Sequence, residues 1–244
     1  LGTPFHFEDV DGKRYLYFAY YDGKSKLGRI QLGDWWPMWR HDARRTGYST
    51  STAPNTNKTV WTYSARGWAG PVVSDGMVFI AFGADNVTLA LNVTTGELIW
   101  SSPTPSAYLG GIAVAYDTVF VQCDAILYAL DEYTGAQKWN FTDSIHHGPP
   151  AVANGMVFID GLQEVHSLNS TTGALKWSHL FGYLKYSRLA VADGMVFTAT
   201  WSEGKVYALN ESTGSIVWSS VVLASTLEAA PVIVDNKVYM GGGN

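Results

Sequence analysis

The sequence has few charged residues, a single cysteine and no long apolar run. Charged residues make up 15% of the 244 residues and hydrophobic residues 47%, which is too apolar a composition for an intrinsically disordered chain. The longest apolar runs, such as residues 77–82, fall well short of the roughly 18 residues that a membrane helix needs. The sequence therefore predicts a folded chain without a membrane-spanning helix.

The net charge of -5 leaves no overall positive field that could hold a nucleic-acid backbone. A local basic cluster does occur, formed by Arg40, His41, Asp42, Arg44 and Arg45 beside Trp35, Trp36 and Trp39. Bases could stack on such aromatic residues. We favour the interpretation in which the arginines cover aromatic surface or pair with carboxylates, and we expect no nucleic-acid partner.

Cys123 is alone, so the chain can form neither an internal disulfide nor a site with several thiolate ligands. It lies in the strand-like run Val-Phe-Val-Gln-Cys. The pattern predicts a buried core thiol, with a reactive thiol as the alternative.

One phrase recurs four times along the chain with a period of about 40 residues. The tryptophans that end the four copies are separated by 39, 38 and 41 residues, and Trp61 precedes the first of them by 39. The copies occupy residues 90–100, 129–139, 167–177 and 208–218. A period in this range is typical of β-propellers, whose blades repeat every 40 to 50 residues.

A second phrase lies upstream of each copy, at residues 71–80, 113–121, 151–159 and 190–198. It consists of two short apolar strands, in three copies around an Asp-Gly or Asn-Gly corner that favours a tight hairpin. Each unit therefore reads as a four-stranded antiparallel meander. Because the central strands are apolar on both faces, the sheets must pack between neighbours, which favours a propeller over the alternative, a β-solenoid.

The recurring pattern Ala-x-Asp/Asn-x-x-x-Gly-x-x-x-Trp resembles the tryptophan-docking motif of the PQQ-like propeller superfamily, which includes quinoprotein alcohol dehydrogenases and BamB-type outer-membrane assembly lipoproteins. Four copies match, with Ser167 in place of the small Ala. The resemblance implies an all-β fold, a β-propeller of four-stranded antiparallel blades. We expect about five to six blades in this chain, as part of a larger or strand-exchanged propeller.

The Gly and Trp residues that recur in the motif have a structural explanation that needs no ligand. The glycines supply the backbone freedom of the turn into the last strand, and the tryptophans lie between adjacent blades and dock them together. The predicted docking residues are Trp61, Trp100, Trp139, Trp177, Trp218, Gly96, Gly135, Gly173 and Gly214.

Composition divides the chain into three parts. Residues 1–33 form a blade-like strand segment, residues 34–57 form a Trp/Arg-rich segment with a polar loop, and residues 58–244 hold the repeats. Residues 34–48 resemble the sequence that often precedes the first blade of PQQ-like propellers. Because the last unit has no Trp phrase, we expect either a longer natural protein or strands exchanged between ends or subunits.

The resemblance also raises the possibility of a quinoprotein oxidoreductase. Such dehydrogenases hold the quinone with a vicinal disulfide, a calcium site and a catalytic Asp, whereas this chain has one cysteine and no matching pattern. His146 and His147 are adjacent, so their side chains point to opposite sides of an extended segment and suit one metal ion poorly. We therefore predict no cofactor, no metal site and no catalytic residue, and we favour a protein that is not an enzyme.

Six of the ten asparagines satisfy the N-glycosylation pattern Asn-x-Ser/Thr. They are Asn57, Asn86, Asn92, Asn140, Asn169 and Asn210. Three of them occupy the motif position where Asp131 also occurs, so a turn-capping role is the alternative.

These patterns together favour a non-enzymatic, extracellular or cell-surface propeller, periplasmic in a bacterium, that acts as a binding or assembly scaffold. We expect a protein or surface polymer as its partner, self-association, and N-glycosylation. The alternatives are a PQQ-dependent oxidoreductase and a BamB-like outer-membrane assembly factor.

Overall fold

In the computed structural model, the described part of the chain forms six antiparallel β-sheets. The structure describes residues 4–5, 9–10, 13–21, 25–31, 37–38, 40–45, 59–65, 70–105, 109–143, 148–182, 184, 188–222 and 229–242. Across these ranges, no helix has both the length and the apolar character needed to cross a membrane.

The first sheet combines the N-terminal strands with the strand that follows Trp61. Its strands are β1 (Pro4–Phe5), β2 (Asp9–Val10), β3 (Lys13–Tyr21), β4 (Ser25–Gln31) and β5 (Thr62–Ala65). They are ordered β1-β3-β4-β5, with β2 also paired to β3. Strand β5 pairs antiparallel with β4, with Leu27 opposite Tyr63. The division of the chain at residues 33 and 57 stays a prediction.

Four sheets contain four strands each, in chain order from the first to the last. Blade 1 consists of β6 (Val72–Ser74), β7 (Met77–Phe82), β8 (Val87–Asn92) and β9 (Leu98–Pro103), with a 3-10 helix at Gly83–Asp85. Blade 2 consists of β10 (Leu109–Ala115), β11 (Thr118–Cys123), β12 (Ile126–Asp131) and β13 (Gln137–Thr142). Blade 3 consists of β14 (Ala151–Ala153), β15 (Met156–Asp160), β16 (Glu164–Asn169) and β17 (Leu175–Leu180). Blade 4 consists of β18 (Ala190–Ala192), β19 (Met195–Thr200), β20 (Lys205–Asn210) and β21 (Ile216–Ser219).

A fifth blade is described by two strands, β22 (Val232–Val234) and β23 (Lys237–Tyr239). The first two strands of each blade are joined by a tight turn whose two central residues both have positive φ, such as Asp75 (43°) and Gly76 (78°). This is the geometry of a type I′ turn, which matches the right-handed twist of the flanking strands. The all-β propeller predicted from the repeats is confirmed.

The blades stack face to face through their apolar side chains. All six residues of β7 and all six of β11 are buried, whereas the fourth strand of each blade is largely exposed. One core cluster joins Phe79 and Trp100 of blade 1 to Val121 and Leu130 of blade 2. Further clusters join blades 2 and 3, blades 3 and 4, and blades 4 and 5. The first strands of consecutive blades are neighbours, so they form the inner side of the stack.

Candidate functional site

A short segment, residues 37–38 and 40–45, lies across the inner strands of several blades. The Val114 N–H of blade 2 donates to the Pro37 carbonyl at 2.7 Å, and Met38 forms an isolated β-bridge with Ala113. The Val191 N–H of blade 4 donates to Ala43 at 2.7 Å, and the Ile233 N–H of blade 5 donates to Arg44 at 3.1 Å. The segment therefore ties blades 2, 4 and 5 together along their inner side.

Arg45 ends this segment and is fully buried. Its Nε donates to the Leu189 carbonyl at 2.8 Å, and its Nη2 donates to the carbonyls of Pro149 (3.0 Å) and Pro150 (3.1 Å). Burial lowers the pKa of Arg45 to about 9, because the charged guanidinium is removed from water. Since Leu189 leads into blade 4 and the prolines lead into blade 3, Arg45 joins these two blades.

Asp160, the last residue of β15, is buried in the same region. Burial raises its pKa to about 7, while Arg188 and Arg45 act in the opposite direction. Within the described ranges, no group donates a hydrogen bond to its Oδ1. A Cβ at Gly148 would collide with that atom, so a glycine is needed where the chain passes the carboxyl group.

The basic cluster seen in the sequence is thus divided between two roles. Arg44 forms an ion pair with Asp193 on the hairpin of blade 4 (2.8 Å), whereas Arg45 is internal. His41 Nδ1 lies 3.4 Å from the Asp42 carboxylate. Trp35, Trp36 and Trp39, which the sequence analysis placed beside this cluster, lie outside the described residues.

The motif tryptophans of successive blades pack against the turn of the blade that follows. Each indole N–H donates to a backbone carbonyl beside that turn, and a Cβ on the turn glycine would lie within 2.7 Å of the ring. The donor and acceptor pairs are Trp61 to Val93 (3.1 Å), Trp100 to Glu132 (2.9 Å), Trp139 to Ser170 (3.2 Å) and Trp177 to Glu211 (2.8 Å). The facing glycines are Gly96, Gly135, Gly173 and Gly214 in the same order.

Trp218 differs from these four residues. Its ring packs against Phe197 of its own blade, as Trp177 packs against Phe158. The indole of Trp218 is nevertheless 38% exposed, against 8% for Trp177. In the other junctions the covering turn follows the third strand of the next blade, and blade 5 is described by its first two strands.

The outer edge of blade 4, by which we mean Ile216, Val217, Trp218, Val221 and Val222, is the apolar surface beside this uncovered ring. All four residues of β21 are exposed, and Val221 and Val222 expose 77% and 64% of their surfaces. Among the described strands, β21 pairs with β20 alone. Its other edge therefore offers backbone groups to a further strand.

The turn before each last strand is capped by the motif Asn or Asp. Asn169 Oδ1 accepts the backbone N–H groups of Thr171 (3.1 Å) and Thr172 (2.9 Å), and Asp131 Oδ1 accepts those of Tyr133 (3.2 Å) and Thr134 (3.0 Å). Asn92 and Asn210 make the equivalent bonds. Three of the glycosylation candidates are therefore also turn caps.

The remaining glycosylation candidates are placed differently. Asn140 is exposed on the outermost strand β13, and Asn86 is exposed after the 3-10 helix, with a left-handed φ of 56°. Thr88, the third residue of the Asn86 pattern, is buried and bonded to Thr104 at 2.9 Å. Asn57, His146 and His147 lie outside the described residues.

Two groups of ionisable side chains meet between blades, and the sequence analysis named neither. Asp143, Glu164 and His166 meet at the junction of blades 2 and 3, where His166 Nε2 lies 3.1 Å from the Asp143 carboxylate. Burial lowers the pKa of His166. Asp75, Asp117 and Glu132 meet at the junction of blades 1 and 2. The members of a group lie up to 57 residues apart in the sequence. Only an alignment of the repeats, blade against blade, could have placed them together.

Cys123, the single cysteine of the chain, is buried, as the sequence predicted. It belongs to the cluster of apolar side chains between blades 1 and 2. The thiol therefore contributes to packing.

A model of one protein family, described as outer membrane protein assembly factor BamB, matches residues 45–179 and 124–244 of this chain. No curated protein sequence matches this chain.

Solved structures with the same fold include enzymes, an assembly factor and a designed protein. BamB from Moraxella catarrhalis is 16% identical with a TM-score of 0.64, covering 86% of this chain and 61% of that structure. A computationally designed protein, Ika8, is 14% identical with a TM-score of 0.68, covering 96% of this chain and 66% of the design. A quinohemoprotein alcohol dehydrogenase from Comamonas testosteroni is 18% identical with a TM-score of 0.62, covering 84% of this chain and 45% of the enzyme. At these identities the likeness shows the fold.

Proposed function

This chain belongs to the family of the outer membrane protein assembly factor BamB, and from that premise we propose that it is a non-enzymatic propeller that binds other polypeptides in the cell envelope or at the cell surface. The observation that carries the proposal is the apolar outer strand of blade 4, whose free edge offers backbone groups to a partner. The family description supports a role in assembly, and the exposed edge supports a protein partner.

The outer edge of blade 4 has the two properties that a strand-binding site needs. Ile216, Val217 and Trp218 expose apolar side chains along the strand, and the free edge of β21 offers backbone hydrogen-bonding groups. An extended segment of a partner can add to such an edge, since the backbone bonds give affinity and the side chains give specificity. Apolar surface of this kind on a folded protein often marks an interaction site.

The outer strands differ in the residue that precedes the motif Trp. That residue is Ile99 in blade 1 and Val217 in blade 4, but Lys138 in blade 2 and Lys176 in blade 3. Lysine on an edge strand opposes pairing with another chain, whereas valine favours it. Blades 1 and 4 lack this protection, and blade 4 adds the exposed Val221 and Val222 beside its edge.

Self-association and glycosylation belong to the same proposal. A second copy of the chain is one partner that the edge could add as a strand. Asn140 is the best placed glycan acceptor, since both Asn140 and Thr142 of its pattern are exposed. Treating the native protein with an endoglycosidase and weighing it intact tests whether Asn140 carries a glycan.

Site-directed photo-crosslinking tests the edge. A photo-reactive amino acid is placed at position 217 or, as the matched control, at position 176 on the outer strand of blade 3. Each protein is illuminated with a urea-unfolded outer-membrane β-barrel protein diluted into buffer, and also alone at high concentration. We expect adducts from position 217 at several times the yield obtained from position 176.

The adduct identifies the partner, because its mass distinguishes the β-barrel protein from a second copy of the chain. The variant V217K should reduce noncovalent binding of that partner and leave the fold intact. Equal yields from positions 217 and 176 would contradict the proposal.

A further inference from the structure

The junction of blades 1 and 2 contains one more carboxylate than the equivalent junction of blades 3 and 4. In the junction of blades 3 and 4, the hairpin residue Asn154 donates through Nδ2 to Glu211 Oε1 (2.8 Å) and Oε2 (3.1 Å). In the junction of blades 1 and 2, the equivalent hairpin residue is Asp75 and the equivalent glutamate is Glu132. An amide that donates hydrogen bonds to a buried carboxylate in one junction is therefore replaced by a second carboxylate in the other.

A third carboxylate completes the group in the junction of blades 1 and 2. Asp117, on the hairpin of blade 2, offers an oxygen that lies within 4.8 Å of oxygens of Asp75 and Glu132. The Tyr133 hydroxyl donates to Asp75 Oδ2 at 2.9 Å and lies 3.4 Å from Asp117 Oδ1. These contacts hold the two hairpin carboxylates beside each other.

Glu132 is the buried member of the group, with only 2% of its surface exposed. No group in the described part of the chain donates a hydrogen bond to its Oε1. Burial raises the pKa of Glu132 to about 7, Ser74 opposes this by a hydrogen bond, and Asp75 and Asp117 raise it further. A buried, unpartnered carboxylate oxygen is costly unless a positive ligand or a proton compensates for it.

Lys138, whose charge lowers the pKa of Glu132, donates its hydrogen bonds to other acceptors. Lys138 Nζ donates to the Asp117 backbone carbonyl at 2.6 Å and to Thr118 Oγ1 at 3.1 Å, and lies 3.2 Å from the Asp131 carboxylate. These bonds occupy the three protons that an ammonium group can donate. The carboxylates of Asp75, Asp117 and Glu132 therefore keep an excess of negative charge.

We propose that Asp75, Asp117 and Glu132 bind a divalent cation, calcium in preference to magnesium, between blades 1 and 2. Carboxylate oxygens are the ligands that calcium and magnesium prefer over softer metals. Asp75 and Asp117 are exposed, so water can complete the coordination shell. Calcium accepts six to eight oxygens in irregular geometry, whereas magnesium demands a near-ideal octahedron, which two hairpin turns and a strand end do not offer.

A bound cation would join the two blades through their hairpin turns. Asp75 belongs to the turn of blade 1, and both other ligands belong to blade 2. Trp100 of blade 1 donates to the Glu132 carbonyl at 2.9 Å, so the cation would lie beside the contact that already closes this junction. The site is separate from the outer edge of blade 4 and does not depend on the function proposed for that edge.

Terbium luminescence tests the site in the intact chain, because Tb³⁺ substitutes for Ca²⁺ and Tyr133 lies close enough to sensitise its emission. We expect emission on aromatic excitation that Ca²⁺ suppresses at lower concentration than Mg²⁺. The variant D75N recreates the Asn–Glu pair of blades 3 and 4, so it should fold and should weaken Tb³⁺ and Ca²⁺ binding at least about tenfold. Addition of Ca²⁺ should also raise the melting temperature of the wild type and not that of D75N.

The matched control is D235N, on the exposed hairpin of blade 5, which should bind like the wild type. Emission and a calcium-dependent melting temperature that are unchanged in D75N would overturn the proposal. So would a wild-type melting temperature that responds to pH but not to calcium, since a proton would then be the compensating ligand of Glu132.

Discussion

The successive junctions from blade 1 to blade 4 and the last strand of blade 4 contain the same motif. The motif Trp is nevertheless buried to different extents. Trp100 and Trp177 are 7% and 8% exposed, whereas Trp218 is 38% exposed. All three rings pack against a phenylalanine of their own blade. The difference therefore comes from the following blade, whose Gly turn and carbonyl cover Trp100 and Trp177. The comparison teaches that the motif stabilises a junction only when the next repeat supplies its turn.

The largest expected effect distinguishes a covered indole from an uncovered one. Replacing Trp177 with alanine should lower the free energy of unfolding by about 3–5 kcal/mol, because a large buried ring is lost and the Glu211 carbonyl loses its donor. Replacing Trp218 with alanine should cost about 1 kcal/mol or less. Urea denaturation of both variants measures the difference, and equal losses would contradict it.

The next effect concerns the glycine that receives the indole. Gly214 has φ +71°, and a Cβ there would lie 2.5 Å from Trp177 Cε3, whereas Gly194 has φ +75° with no atom within 4 Å of a Cβ. Gly194→Ala should cost about 1–2 kcal/mol from backbone strain alone. Gly214→Ala should cost a further 1–3 kcal/mol, roughly, from overpacking against the ring. If thermal unfolding gives the same loss for both, the ring contact contributes nothing.

The spacing of the repeats predicted the fold, and the motif predicted which Trp and Gly residues pack between the blades. The four copies of the motif and the Asp-Gly or Asn-Gly corners each follow from local sequence, so the strands, turns and meander order follow too. The path of residues 37–38 and 40–45 could not be predicted, because their partners Ala113, Val191 and Ile233 lie far away in the chain. The same reason hid the burial of Arg45 and the meeting of Asp75 with Glu132.

A third effect concerns the buried Asp160 and is measured as a dependence of stability on pH. Asp160 has a pKa of about 7 in the folded chain, above its ordinary value near 4, because burial disfavours the carboxylate. The unfolded chain therefore loses this proton first, so the stability that the protonated group contributes is lost as the pH rises from about 4 to about 7. The slope contributed approaches about 1.4 kcal/mol per pH unit.

The variant D160N should remove this contribution, whereas D235N, on the exposed hairpin of blade 5, should retain it. Urea titrations at several pH values between 4 and 8 measure the slopes. A slope in D160N that equals that of the wild type would show that Asp160 is not the group responsible.

The smallest expected effect concerns the turn that carries the docking glycine. Asn169→Ala removes the acceptor for the Thr171 and Thr172 N–H groups and should cost about 1 kcal/mol. Asn169→Asp should remain within about 0.5 kcal/mol of the wild type, because Asp131 caps the equivalent turn of blade 2. A large loss in N169D would mean that the amide nitrogen has a separate role.

Hydrogen exchange of the indole N–H groups, followed by NMR on the ¹⁵N-labelled chain, tests the contrast between closed junctions and open edge most directly. The indole protons of Trp100 and Trp177, which are buried and bonded to carbonyls, should exchange far more slowly than that of Trp218. Addition of the crosslinked partner should then slow exchange at Trp218. Exchange at Trp218 that is as slow as at Trp177 in the free chain would contradict the claim that the turn of the following blade protects the indole.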